Sequence, residues 1–112
     1  EVARCLTMRG AEVLLHATTE AAGPAGSRQV GPRQVVKLAR AVENMAYVVS
    51  ANSAGVTDTA LPGQSADGGS AVIDYRGLVL AEAGAGESMA ANADIDLYAL
   101  RSHRQRPGAA NV

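Results

Sequence analysis

Phenylalanine and tryptophan are absent from this 112-residue sequence, and only three tyrosines occur. The core must therefore be assembled from Val, Leu, Ile, Met and a great deal of Ala, which bury less area per side chain than aromatic rings do. Such a core is shallow and leans on neighbouring surface. Cysteine is equally scarce. The single Cys5 excludes an internal disulfide, and with His16 and His103 as the only histidines no closed zinc site can be built. A reducing cytoplasmic compartment is the default for such a chain. No apolar run approaches the roughly 18 residues that cross a bilayer. Excess charge of either sign is missing too: 10 Lys and Arg stand against 11 Asp and Glu. That balance gives no electrostatic footprint for nucleic acid or an anionic membrane, and neither partner is expected.

What is present is one domain's worth of alternating helix and strand signals. The chain opens at Glu1 with no initiator Met or charged leader, which reads as a cut edge. Val2, Cys5, Leu6 and Met8 follow a helical spacing that stops at Gly10, a residue suited to a left-handed cap, so residues 1–9 are expected to be helical. Cys5 then falls on the apolar stripe and is expected to pack as a small hydrophobe. Val13, Leu14 and Leu15 form a short aliphatic run ending at His16, which predicts a strand covered on both faces. Residues 18–31, with Gly23, Pro24, Gly26 and Ser27, carry no periodicity and read as a long loop.

Pro32 suits a first helical position, and Val35, Leu38, Ala39, Val42 and Ala46 follow at helical spacing towards an end near Asn44. Lys37 lies off that stripe and is expected to be solvated. Tyr47–Ser50 predicts a second strand. After a polar stretch, Ala71–Ile73 leads through Asp74-Tyr75-Arg76-Gly77 into Leu78–Leu80, a hairpin with Asp opening and Gly closing the turn. Residues 89–95 suggest an outer strand. Asp96 can cap a closing helix through Leu97, Leu100 and Arg104, and Pro107 and Gly108 end the regular structure. The glycines are scattered and form no phosphate-binding loop, so nucleotide binding is unsupported.

The order helix, strand, helix, strand, hairpin, strand, short helix is α/β grammar that lacks the opening strands of a sheet. Here the sequence resembles the nitrilase and amidase (carbon-nitrogen hydrolase) superfamily. The pieces that carry the resemblance are Glu1 and Arg4 followed by Arg9-Gly10-Ala11-Glu12, then Arg40-Ala41-Val42-Glu43-Asn44, then Ala51-Asn52 with Gly55, and finally Gly69-Ser70 with Asp74 and Gly77. The resemblance implies that residues 1–112 are the C-terminal portion of one hydrolase domain, part of a four-layer α-β-β-α sandwich whose N-terminal portion is missing. It also implies a homodimer or higher homo-oligomer, and hydrolysis of amide, nitrile or carbamoyl compounds by a Glu-Lys-Cys triad without metal or other cofactor. Glu1 matches the Glu that follows the family's nucleophile, so the expected Cys, Lys and Glu all fall upstream of residue 1.

Catalysis of this kind needs a thiolate to attack carbon, a carboxylate to move protons and an ammonium to stabilise negative charge. Cys5, Lys37 and one of Glu12, Glu20, Glu43, Glu82 or Glu87 do not rebuild that triad, since chance composition supplies the residue types. Two readings stand for His16: a strand-end histidine bonded to backbone, or, as the resemblance implies, part of a pocket mouth with Ala17, Thr18 and Thr19, which a strand-end position in an α/β fold favours. Glu43 and Asn44 either satisfy backbone groups at a helix end or, as the resemblance implies, stand with Asn52 close to the active site and support the pocket. The basic cluster of Arg101, His103, Arg104 and Arg106 complements a helix dipole without any ligand. Loops 20–31 and 57–67 match no fixed pattern and are expected to shape substrate choice or subunit contacts. The rival from another class is a non-catalytic binding protein that keeps the sandwich without its nucleophile.

Overall fold

A computed structural model describes residues 1–19, 32–54, 68–84 and 88–108. The loops expected at 20–31 and 57–67, and Gly55, lie outside the described residues. Seven elements follow one another: α1 (Val2–Met8), β1 (Val13–Thr18), α2 (Pro32–Asn44), β2 (Tyr47–Asn52), β3 (Ala71–Ile73), β4 (Val79–Glu82) and α3 (Leu97–Arg104). The strands make one sheet in the order β1-β2-β3-β4, with β1 and β2 parallel and β3 and β4 added antiparallel. Two helix–strand units and a hairpin are therefore present as expected. Residues 88–96 form no strand. Their Ala-rich, acidic sequence offers few β-branched side chains, and the segment runs as irregular chain into the Asp96 cap.

Side-chain alternation divides the sheet into two faces. Leu14, Val48, Ala71 and Ile73 point to one face, where they join Ala41 of α2 and Ala46 in a buried cluster with Ala3, Ala11 and Leu38 packed against it. Both α1 and α2 lie on this face. Tyr47, Tyr75 and Leu100 form a second cluster with Val13 and Leu97 on the other face, beneath α3. Tyr47 and Tyr75 meet edge to face with ring centroids 5.6 Å apart, so two of the three tyrosines concentrate the aromatic packing in one place.

Burial departs from expectation at four places. Strand β1 is not covered on both faces: α3 and the tyrosines cover that side only at the start of the strand, over Val13, and Leu15 beyond them is 81% exposed. No residue of α1 is buried and Cys5 is exposed, so its stripe is apolar without being covered. Lys37 is only 7% exposed, so it faces inward with the neighbouring Leu38 and is not solvated. The core-facing side of α2 is Lys37, Leu38, Ala41 and Asn44, while Val35 and Val42 are about half exposed. The helix is thus rotated away from the stripe of its largest side chains. Small Ala41 lets it approach the sheet closely.

The chain turns are chemically specified. Gly10 takes φ +102 after α1. At the C-terminus of α2, Met45 adopts φ +44, an unusual value for a non-glycine residue. Its carbonyl is held by Arg104, whose Nε donates to it at 2.8 Å while Nη2 donates to the Ala11 carbonyl at 2.9 Å. Arg101 grips Glu12 through two parallel bonds of 2.7 and 2.9 Å, and that contact holds the Glu12 carboxyl below its ordinary pKa. The basic side chains of α3 therefore clasp the two loops that lead into β1 and β2, a more specific role than complementing a dipole. Asp96 caps α3 by accepting from Ala99 N–H at 2.8 Å, and the Tyr47 hydroxyl both accepts from Asp96 N–H and donates to its carbonyl.

In the β3–β4 hairpin the Asp74 carboxylate, 1% exposed, accepts from the backbone N–H of Arg76 and of Leu78 and from the Arg76 guanidinium, all within 2.9 Å. Gly77 closes the turn at φ +81, and a Cβ there would meet Val42 Cγ2 at 2.7 Å, so both backbone and space require glycine. Burial by itself would raise the Asp74 pKa; the bonds from Leu78 N–H and from Arg76 outweigh it and hold the carboxyl below its usual range. Asp74→Ala is expected to cost about 1–3 kcal/mol, since it strands two partly buried N–H donors and the Arg76 guanidinium, with a smaller loss for Asp74→Asn. Because the folded value is the depressed one, this stabilisation is fully present above about pH 4 and disappears as pH falls through the folded value. Urea melts of the wild type and both variants at pH 7 and pH 3 test this: equal losses at both pH values would contradict the assignment.

Candidate functional site at the strand ends

Parallel pairing brings the last residues of β1 and β2 side by side, with His16 opposite Ser50, Ala17 opposite Ala51 and Thr18 opposite Asn52. His16, Ser50 and Asn52 sit on the helix-bearing face, in the same alternation as Leu14 and Val48. Three apolar-to-polar changes along that face therefore make a polar crest at the C-terminal ends of the parallel strands. Open α/β sheets place ligands at such ends, because loops diverge there and leave a crevice.

The crest is internally bonded. His16 Nδ1 lies 3.1 Å from the hydroxyl of Ser50, which is almost wholly buried, so the imidazole is oriented by a side chain and not by backbone. Asn52 donates through Nδ2 to the Gly68 carbonyl at 2.8 Å, and its backbone N–H donates to Ser70 Oγ at 3.0 Å. The Thr19 and Ser53 hydroxyls pair at 3.1 Å, while Ser53 N–H reaches the Thr18 carbonyl at 3.3 Å. Sequence reasoning does not single out Ser50 or Ser53, and Ser70 enters it only through the Gly69-Ser70 piece of the family pattern. The signal for Ser50 was its even spacing from Asn52, which places both on one face of a strand.

Glu43 and Asn44 are not part of this crest. They end α2 just before β2 begins, so they stand at the opposite end of the sheet, about 15–20 Å away by the length of a six-residue strand. Asn44 is buried, donates to the Arg40 carbonyl at 2.9 Å and accepts from Thr7 Oγ1 at 3.3 Å, tying α2 to α1. Glu43 pairs with Arg40 one turn earlier, which keeps its carboxyl below the ordinary range. Among the candidates, then, His16, Ala17, Thr18, Thr19 and Asn52 gather in one place, and the α2 pair satisfies a helix junction.

Beside the crest an open groove of about 800 Å³ runs between α1, α2 and β1. Its walls are mostly apolar, with His16, Lys37 and Arg40 as the polar groups; Cys5 does not line it.

The sequence profile of carbon-nitrogen hydrolases matches residues 1–105. The chain belongs to the carbon-nitrogen hydrolase family. Its fold is similar to that of a carbon-nitrogen hydrolase from Helicobacter pylori, at 25% identity and a TM-score of 0.75 over 92% of this chain and 38% of that one. It is also similar to an amidase from Nesterenkonia sp. AN1 in complex with butyramide, at 28% identity and a TM-score of 0.64 over 91% of this chain and 35% of that one. An omega-amidase from Yersinia enterocolitica is 34% identical over 73 residues, which is 65% of this chain and 27% of that protein. The chain thus spans roughly a quarter to two fifths of the length of these hydrolases. The α/β architecture is that of part of a nitrilase-type domain.

Asn52→Ala would leave the buried Gly68 carbonyl without its donor and is expected to lower stability by about 1–3 kcal/mol. Thermal melts check the loss. Unchanged stability would mean that the crest does not hold residues 68–70 in place.

Proposed function

We propose that these residues form the C-terminal part of the catalytic domain of a hydrolase that cleaves small amides, using a cysteine thiolate held outside residues 1–112. The observation that carries this reading is the polar crest of His16, Ser50 and Asn52, at parallel strand ends, within a chain matched by the family over nearly its whole length. Amides are favoured over nitriles and carbamoyl compounds by the similar proteins: an omega-amidase, and an amidase in complex with butyramide. A related form of the latter amidase, 32% identical over 73% of this chain, carries the acetamide moiety of fluoroacetamide on its active site cysteine.

In this reading the thiolate attacks the amide carbonyl carbon, the C–N bond breaks with a proton delivered to the leaving nitrogen, and water hydrolyses the resulting thioester to acid and free thiol. The residues of this chain supply wall and orientation. His16, fixed through Ser50, and Thr18 border the place where the substrate sits, while Asn52 braces the connection that follows β2. Cys5, exposed on α1 and outside the groove, takes no part.

The full-length product of the gene is expected to release ammonia from butyramide and to lose activity on treatment with iodoacetamide. Cys5→Ser should leave both properties intact, whereas His16→Ala should lower kcat/KM by up to about 10²-fold through misplacement of the substrate. Loss of hydrolysis in Cys5→Ser would overturn the placement of the nucleophile. No hydrolysis by the unmodified protein would favour a non-catalytic member that keeps only the fold.

A further inference from the structure

Ser50 is 2% exposed, and among the described residues its hydroxyl has one partner, His16 Nδ1 at 3.1 Å. Its neighbours on that face of the sheet explain the isolation. Ala71 stands opposite Ser50 on β3 and Val48 precedes it along β2, and neither side chain offers an acceptor. A serine hydroxyl carries one proton and two lone pairs, whereas a neutral imidazole carries a proton on one nitrogen and a lone pair on the other. Two arrangements can therefore set Nδ1 and Oγ this far apart. With the proton on Nδ1, the ring donates to Oγ and the buried hydroxyl hydrogen is left with nothing to bond. With the proton on Nε2, the hydroxyl donates to Nδ1 and that hydrogen is used. A buried donor without an acceptor has lost its water and gained nothing in exchange, so the second arrangement is the stable one.

The consequence lies on the far side of the ring. His16 is exposed, and among the described residues no group bonds its Nε2. The imidazole lines the groove, whose other polar side chains, Lys37 and Arg40, donate hydrogen bonds and cannot accept them. No side chain lining the groove can therefore take the Nε2 proton. The Nδ1 lone pair is spent on Ser50 and Nε2 already carries its hydrogen, which leaves the neutral ring no basic nitrogen to present.

We propose that Ser50 is a positioning residue that locks His16 in its Nε2–H form, so that the imidazole meets the substrate as a neutral hydrogen-bond donor and not as a base. The group that suits such a donor is an acceptor oxygen, here the carbonyl of an amide; an amino group is refused. The identity of the acceptor rests on the amide-hydrolase reading, whereas the position of the proton does not.

Proton–nitrogen correlation NMR of the full-length gene product, isotope-labelled on its histidine nitrogens, reads the tautomer at about pH 8.5, where histidines are ordinarily neutral. The His16 signals are those that vanish in His16→Gln. The wild type is expected to show the Nε2–H form alone, Ser50→Ala a mixture of both forms, and Ser50→Thr, which keeps the hydroxyl, the wild-type pattern. Nδ1–H in the wild type would overturn the proposal, and so would an Nε2–H form left unchanged in Ser50→Ala. Added butyramide should shift the Nε2–H resonance, and a resonance that stays in place rules out contact with the substrate. In kinetics, His16→Gln sets an amide N–H close to the place of Nε2–H but cannot serve as a base, so its kcat/KM should exceed that of His16→Ala by about tenfold. Equal losses in the two variants would overturn the donor role. Ammonia release by the unmodified protein is followed in parallel: its absence sinks the amide-hydrolase reading, while the spectra without butyramide still decide where the proton sits.

Discussion

Two parallel strands cannot be joined by a tight turn. The ladder between Val13–Thr18 and Tyr47–Asn52 therefore demands a crossover, and nearly every other feature of the molecule answers that demand. Helix α2 makes the return journey, Ala41 lets it lie close to the sheet, and Met45 reverses the chain in a left-handed conformation so that β2 starts in register with β1. The register decides which side chains meet at the far end. A slip of one residue would send His16 and Ser50 to opposite faces and dissolve the crest.

Much of this order was legible in the sequence because it is local. Gly10, Pro32, the Asp74–Gly77 turn and the Asp96 cap each act within a few residues, and each stands at the end of an element where its chemistry requires it. The apolar runs at 13–15 and 47–50 mark the strands, and the helical stretch between them is the crossover that the parallel pairing uses. The family resemblance shares Gly10, Asp74 and Gly77 with this punctuation and adds Arg40–Asn44, Ala51-Asn52 and Gly69-Ser70, and the match over residues 1–105 extends across all of them.

What escaped the sequence is relational. The spacing of Val35, Leu38 and Val42 indicates an amphipathic helix but not which side meets the sheet, and tight packing at Ala41 turned the helix toward Lys37 and Asn44. Burial of Cys5 and Leu15 was inferred from apolarity, although apolar side chains are buried only where something exists to cover them. Glu43 and Asn44 lie a strand length from His16, because the end of a crossover helix meets the beginning of the strand it feeds. Ser50 and Ser70 gain importance only through their partners, and an isolated serine carries no signal of its own.

The clasp made by α3 divides the molecule into two mechanical regimes. Arg101 and Arg104 hold Glu12, Ala11 and Met45, all at the end of the sheet where β1 and β2 begin, and Tyr47 with Asp96 adds a further tie at the same end. The crest at the other end is bonded mainly through short side chains within its own loops. Rigidity is thus anchored remotely from the crest, and the strands transmit it as stiff levers. A scaffold arranged this way can accept altered loops at its working edge without loosening its foundation, so evolution can explore new ligand chemistries there largely independently of stability.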